Sequence, residues 1–183
     1  MLDEFIWGEA TRISPEAPVP IVKVKSRTFV PGGAGNVVNN IHHLGGQAFP
    51  CGVVSIDSEG SGSILRNILW VIIGKNSDGV ITVDDRPTIR KTRVCVDHQQ
   101  IIRIDEEDIK PLNSGVIERM LCFIETTIPL VDVILIEDYG KGVICPEILS
   151  KVSELAKEHN KIVTIDPKED NFSLYKKCYP DSA

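Results

Sequence analysis

Two carboxylate groups close the last apolar runs of the chain: Glu137-Asp138 follows Val131–Ile136, and Asp166-Pro167-Lys168 follows Lys161–Ile165. Ligands of open α/β sheets bind outside the carboxyl ends of strands. There Asp138 and Asp166 could position Mg2+ or sugar hydroxyls, and Lys168 could pair with a phosphate. The same residues also work as loop caps and a solvated charge, and the pattern leaves both readings open. A second group is Pro31-Gly32-Gly33-Ala34-Gly35-Asn36, which opens directly onto a helix-patterned segment. Glycines there let backbone approach a ligand closely, the helix start offers unpaired N–H groups, and Asn36 can donate and accept toward hydroxyls or phosphate oxygens. A plain tight turn ending a helix–strand unit is the competing reading.

Positive charge concentrates at Arg90, Lys91, Arg93 and Arg103. Strand alternation puts Lys91 and Arg93 on one face, with Arg103 across a hairpin, either as a phosphate clamp or as the solvated side of a ribbon. His42, His43 and His98 have no partner spacing that suggests a triad or a metal site. The five cysteines, Cys51, Cys95, Cys122, Cys145 and Cys178, lack any Cys-x-x-Cys pair and support neither zinc nor a disulfide framework. No Walker-type loop and no Gly-x-Gly-x-x-Gly occurs.

These groups need a frame to hold them. With 183 residues, 42% of them hydrophobic, the chain can bury the core of one ordinary domain. A net charge of −6 without a basic stripe argues against nucleic acid as partner. Leu69–Ile73 is far too short to cross a bilayer, and no signal peptide is visible, so a cytoplasmic protein with no membrane partner is expected. Met1–Trp7 reads as an abrupt start with no preceding strand, and Val19–Val24 as an exposed or edge strand. Val37, Ile41 and Leu44 mark a helix stopped by Gly45-Gly46; a strand over Gln47–Val54 and a helix over Gly62–Trp70 follow. Thr88–Val96 and Gln99–Ile104 form a hairpin with His98 near its turn, a small accessory sheet beside the main body. The spacing then predicts a helix from Val116 to Ile128 and a strand over Val131–Ile136 covered on both faces. A helix starting at Pro146 and a strand over Lys161–Ile165 complete a parallel crossover.

Arg12-Ile13-Ser14-Pro15-Glu16-Ala17-Pro18-Val19-Pro20, Pro31–Asn36, Pro87-Thr88-Ile89, Gln99–Asp105 and Asp166-Pro167-Lys168 together resemble the kinase domain of the bacterial heptose-7-phosphate kinases. These are ribokinase-like (PfkB) carbohydrate kinases. The resemblance covers essentially the whole chain. It implies a Rossmann-like α/β fold with a parallel-sheet body and a small β-lid, the lid spanning about residues 9–30 and 86–105. It also implies ATP- and Mg2+-dependent phosphorylation of the anomeric hydroxyl of D-glycero-D-manno-heptose 7-phosphate, toward ADP-heptose and the lipopolysaccharide core. By the same resemblance, Asp3, Gly32, Gly33, Asn36 and Arg103 bind the sugar phosphate; Asp138, Asp166 and Lys168 lie near the phosphates; and the lid hairpin forms a homodimer interface.

The departures carry as much information. The family has a strand and a Gly-Asp pair before the residues matched by Met1-Leu2-Asp3. After its Asp-Pro-Lys strand it continues into a Thr-Pro-Asn segment with a downstream glutamate that organises the metal, where this chain reads Cys178-Tyr179-Pro180-Asp181-Ser182-Ala183. The Gly-Ala-Gly-Asp turn, which in the family supplies the anion hole and the catalytic aspartate, occurs nowhere in the sequence. No catalytic base and no metal ligand is therefore assigned. The resemblance implies an incomplete fold that carries most of the sugar half of the site, lacks the first strand and the nucleotide-binding half, and leaves a central sheet edge unpaired. The alternatives are a non-catalytic remnant that binds sugar phosphate or dimerises, and a PfkB kinase for another sugar phosphate.

Overall fold

In a computed structural model, which describes residues 1–56 and 60–178, the chain alternates strands and helices around two apolar cores. Its first segment is a strand, β1 (Leu2–Ile13), paired antiparallel with β2 (Pro20–Pro31). Both ends of this hairpin exceed what sequence alternation alone indicates. Met1–Trp7, read as an abrupt start with no preceding strand, lies in β1, where the Asp3 and Glu4 carboxylates find cationic partners across strands. Next come α1 (Ala34–His43), β3 (Gly52–Ser55), α2 (Ser61–Ile73) and β4 (Val80–Val83). The strand expected over Gln47–Val54 is confined to β3, because Pro50 has no N–H to give a ladder.

The predicted hairpin forms as β5 (Arg90–Val96) and β6 (Gln99–Glu106). Asp97 and His98 both take positive φ, 46° and 68°, as a two-residue hairpin turn requires. β5 also runs parallel to β1, so the hairpin joins a four-stranded sheet of order β2-β1-β5-β6. The rest is α3 (Ser114–Thr127), β7 (Val133–Glu137), α4 (Pro146–Glu158), β8 (Ile162–Asp166) and α5 (Phe172–Cys178). Asn113 caps α3 by accepting from the Val116 N–H at 3.0 Å, and Pro146 with Glu147 opens α4. The crossover is present: β7 and β8 pair in parallel with α4 between them, as β3 and β4 do with α2 between them. The result is an α/β fold with parallel strand pairs and an accessory sheet, as the resemblance implies. The terminal Tyr179–Ala183 segment that departs from the family lies outside the described residues.

Two expectations are corrected. Leu44 is 89% exposed, and the inward side of α1 is Val38 with Ile41, because Leu44 falls beyond the last helical turn. The strand expected to be covered on both faces is covered on one. Val133 and Leu135 stay 49% and 41% exposed beside Ile162 at 64%, while Ile134 and Ile136 pack against α4 and its neighbours.

The accessory sheet is rooted in the body. Leu2 is fully buried with Val38, Val54, Leu65 and Leu69, a contact that contributes about 2 kcal/mol of apolar burial. Glu4, 2% exposed, accepts from Thr92 at 2.9 Å and from Arg27 at 2.7 Å, linking three strands through one buried carboxylate.

Candidate functional site

Period-two alternation along β1 sends Leu2 and Glu4 to the body side and Asp3, Phe5 and Trp7 to the other face. That second face collects the chemistry. Arg93 ion-pairs with Asp3 at 2.8 Å and lies over the Phe5 ring, 5.3 Å from its centroid; Phe5 in turn stacks on Trp7 at 5.8 Å. The β5–β6 register sets Arg93 directly opposite Arg103, and Lys91 opposite Asp105. Like charges held face to face in a ladder cost stability unless an anion is shared between them. Asp105 offsets part of that repulsion: Lys91 first, and Arg103 next, hold its carboxyl below the usual range.

The glycine turn meets this face at Asp3. Gly32 closes on β1 through a hydrogen bond to the Met1 carbonyl, and a Cβ at Gly32 would sit 2.6 Å from the Asp3 carboxylate. Gly33 has φ of +52°, and its missing side chain makes room for the end of Met1 and, next, the Tyr139 ring. The turn is therefore required by close approach and not only by chain reversal. Asn36 is exposed in the first turn of α1, with no side-chain hydrogen bond among the described residues.

The strand ends of the crossover form the facing wall. Glu137 stands beside Asp166 across the β7–β8 pair. Burial first, and the Asp166 charge second, push the Glu137 carboxyl above its ordinary range. Tyr139 titrates high through burial and then the charges of Glu137 and Asp166, with Asp3 a smaller contributor. Asp138 is buried and fully engaged: it accepts from the Gly140 N–H at 2.8 Å, from Asn171 at 2.7 Å and from the Tyr175 hydroxyl at 2.5 Å. Its geometry is that of a loop anchor. Lys168 runs its stem along Gly140, half exposed, with only a 3.9 Å approach to Asp170.

The structure thus joins Asp3, Gly32 and Gly33 in one place and links Arg103 to them through Arg93. It sets Asp166 and Lys168 on the strand-end wall, reached through the Tyr139 loop, and engages the Asp138 carboxylate with Gly140, Asn171 and Tyr175. Lys91, Arg93 and Tyr139 adjoin these candidate residues. Alternation pointed to the first two, whereas nothing in the local pattern marks Tyr139 except its place after a strand end. Among the described residues no group of three or more His, Cys, Asp or Glu side chains is arranged to hold a metal ion, and no helix is long and apolar enough to cross a membrane.

The model of the pfkB family carbohydrate kinases matches residues 3–182. The bifunctional protein HldE of Wolinella succinogenes is 39% identical over 178 residues, covering 96% of this chain and 36% of its own length. The bifunctional protein HldE of Helicobacter acinonychis is 42% identical over 173 residues, covering 94% and 37%. The chain thus spans little more than a third of these curated relatives. Among solved structures, the tetrameric inhibited form of Escherichia coli phosphofructokinase-2 superposes with a TM-score of 0.62 at 19% identity, over 96% of this chain and 54% of that one. The same enzyme in complex with fructose 6-phosphate gives 0.54 at 20% identity, over 90% and 50%. With the fold, the glycine turn and these matches in agreement, the chain belongs to the pfkB family of carbohydrate kinases.

Proposed function

We propose that this chain carries the sugar-phosphate half of a heptose 7-phosphate kinase site, in a protein that phosphorylates the anomeric hydroxyl with ATP and Mg2+. The observation that carries the reading is the face shared by Asp3, the Gly32-Gly33 turn, and the cations Lys91, Arg93 and Arg103. A carboxylate beside two close-packed glycines suits sugar hydroxyls. Two arginines forced opposite each other suit a phosphate, which bidentate guanidinium pairing recognises. Together they favour a phosphorylated sugar over a neutral one.

ATP and Mg2+ are implied by the family. Mg2+ is held by one or two carboxylates plus substrate phosphates, and the Glu137–Asp166 pair, whose mutual repulsion a divalent cation would relieve, fits that donor chemistry. Bound MgATP would supply the phosphoryl group; the residues here would orient the sugar. Asp3 and Asn36 would hold hydroxyls, Arg93 and Arg103 the existing phosphate, and Lys168 charge at the strand-end wall. Phosphoryl transfer rests on positioning and charge stabilisation, with a base on the attacking hydroxyl. The sequence contains no Gly-Ala-Gly-Asp turn to provide that base. This favours a second reading, a chain that binds sugar phosphate without turning it over.

Calorimetric titration with D-glycero-D-manno-heptose 7-phosphate, with the unphosphorylated heptose and fructose 6-phosphate as competitors, tests the reading alongside a coupled assay of ADP release. Binding of the heptose phosphate without ADP release is expected. Turnover by the 183-residue chain would overturn the half-site reading, and a preference for another sugar phosphate would reassign the substrate. The apolar outer strand of the accessory sheet, with Ile101, Ile102 and Ile104 about half exposed, supports a homodimer formed through this lid.

A further inference from the structure

Arg86 lies in the connection between β4 and β5, and only 6% of it is exposed. Its guanidinium donates to three main-chain carbonyls: Pro111 at 3.2 Å, Lys141 at 3.4 Å, and Lys110. No carboxylate lies within ion-pair distance of it among the described residues. A guanidinium carries five donors and cannot shed its charge, so burying it against neutral oxygens is expensive. Its charge acts on the Asp108 carboxyl only from beyond ion-pair distance, so the arrangement works chiefly through geometry.

Those three carbonyls belong to the two segments that most need fixing. Lys110 and Pro111 are in the strand-to-helix connection that leaves the accessory sheet after β6. Lys141 is in the loop after β7, two residues from Tyr139, and borders the cleft lined by Ile109, Gly140, Gly142 and Lys168. Arg86 itself sits on the connection that enters the accessory sheet. One side chain therefore ties both roots of the β5–β6 hairpin to the strand-end wall. Two other contacts hold the same crossing. Lys141 pairs with Glu107 at 2.6 Å, and Gly142, at φ +71°, comes so close to the Ile109 and Lys110 carbonyls that a Cβ there would run into them.

We propose that Arg86 is a positioning residue that sets how the β5–β6 hairpin, and with it Arg93 and Arg103, stands relative to the Tyr139–Lys168 wall. Its effect on ligand affinity rests on the sugar-phosphate reading above; the tethering itself does not. Loss of the guanidinium frees three carbonyls at once, so both loops should open locally while distant elements hold.

Hydrogen exchange and calorimetry on Arg86→Met and Arg86→Lys, in the 183-residue chain, test this. In Arg86→Met the amides of residues 107–110 and 139–142 should exchange about tenfold faster, those of α2 should not change, and heptose 7-phosphate should bind about tenfold more weakly. Arg86→Lys should recover only part of both effects, since an ammonium lacks the planar fork. Should Arg86→Met fail to fold, Gly142→Ala provides the same readout by displacing the crossing with Arg86 intact. Unchanged exchange in the two loops, or exchange raised equally in α2, overturns the proposal. Absence of heptose phosphate binding by the parent chain overturns the sugar-phosphate reading instead, and leaves the exchange result to decide on Arg86.

Discussion

Gly32 shows how a single missing side chain can define a site. Its would-be Cβ falls on the Asp3 carboxylate, so Gly32→Ala must move either the turn or the residue assigned to the sugar hydroxyls. Heptose 7-phosphate affinity should fall at least tenfold in Gly32→Ala, on the scale of losing one well-placed charged hydrogen bond. Calorimetry showing parental affinity would remove Asp3 from the site. The cysteines behave differently. Burial pushes the Cys51 thiol up to about 12, whereas Cys122 is exposed on α3. Because the thiolate is the reactive form, iodoacetamide should label Cys122 in the folded protein and reach Cys51 only on unfolding, as peptide mass mapping would show.

Among the elements, the β7–β8 pair stores a repulsion. Glu137 and Asp166 lie side by side at the strand ends, and the Glu137 carboxyl is raised by burial and then by Asp166. A carboxyl raised in the folded state binds its proton more tightly folded than unfolded. The contribution of this group to stability is therefore fully present at low pH and is lost as pH rises through the raised value. Glu137→Gln should raise the melting temperature by about 1–3 °C near pH 7 and leave it nearly unchanged near pH 3.5, given the usual cost of like charges across a ladder. Thermal melts at both values check this, and an equal shift at both would mean that charge is not the cause. The accessory sheet works the other way. Its buried Glu4 is matched by Arg27 and Thr92, so that contact holds three strands in register.

At the scale of the whole molecule, apolar side chains remain open on two strand pairs among the described residues. The edge strand β6 exposes Ile101, Ile102 and Ile104, and one face of the β7–β8 pair exposes Val133, Leu135 and Ile162. Contiguous apolar surface of this kind marks an interaction site. For the β6 surface the expected partner is a second copy of the chain. Sedimentation velocity should show a dimer for the parent protein and a monomer for Ile102→Asp with Ile104→Asp. A parent chain that stays monomeric at all concentrations would sink the dimer.

The alternating and helical apolar patterns by themselves determined the hairpin over 90–106, the α3 and α4 helices and the β7–α4–β8 crossover, because each rests on local periodicity and nearby caps. The types of the candidate groups were equally legible: a glycine turn, strand-end carboxylates and a run of cations. Three decisions belonged to tertiary structure. The carboxylates of Asp3 and Glu4 in β1 are matched by Arg93, Arg27 and Thr92, which arrive from strands far away in sequence. The Asp138 carboxylate is held by Asn171 and Tyr175, which close on it from beyond β8. Arg86 gained its role only when three carbonyls from two distant loops converged on it. Periodicity records which face of an element is buried; it does not record which polar group from elsewhere in the chain will meet a buried charge, and that pairing is what assembled this site.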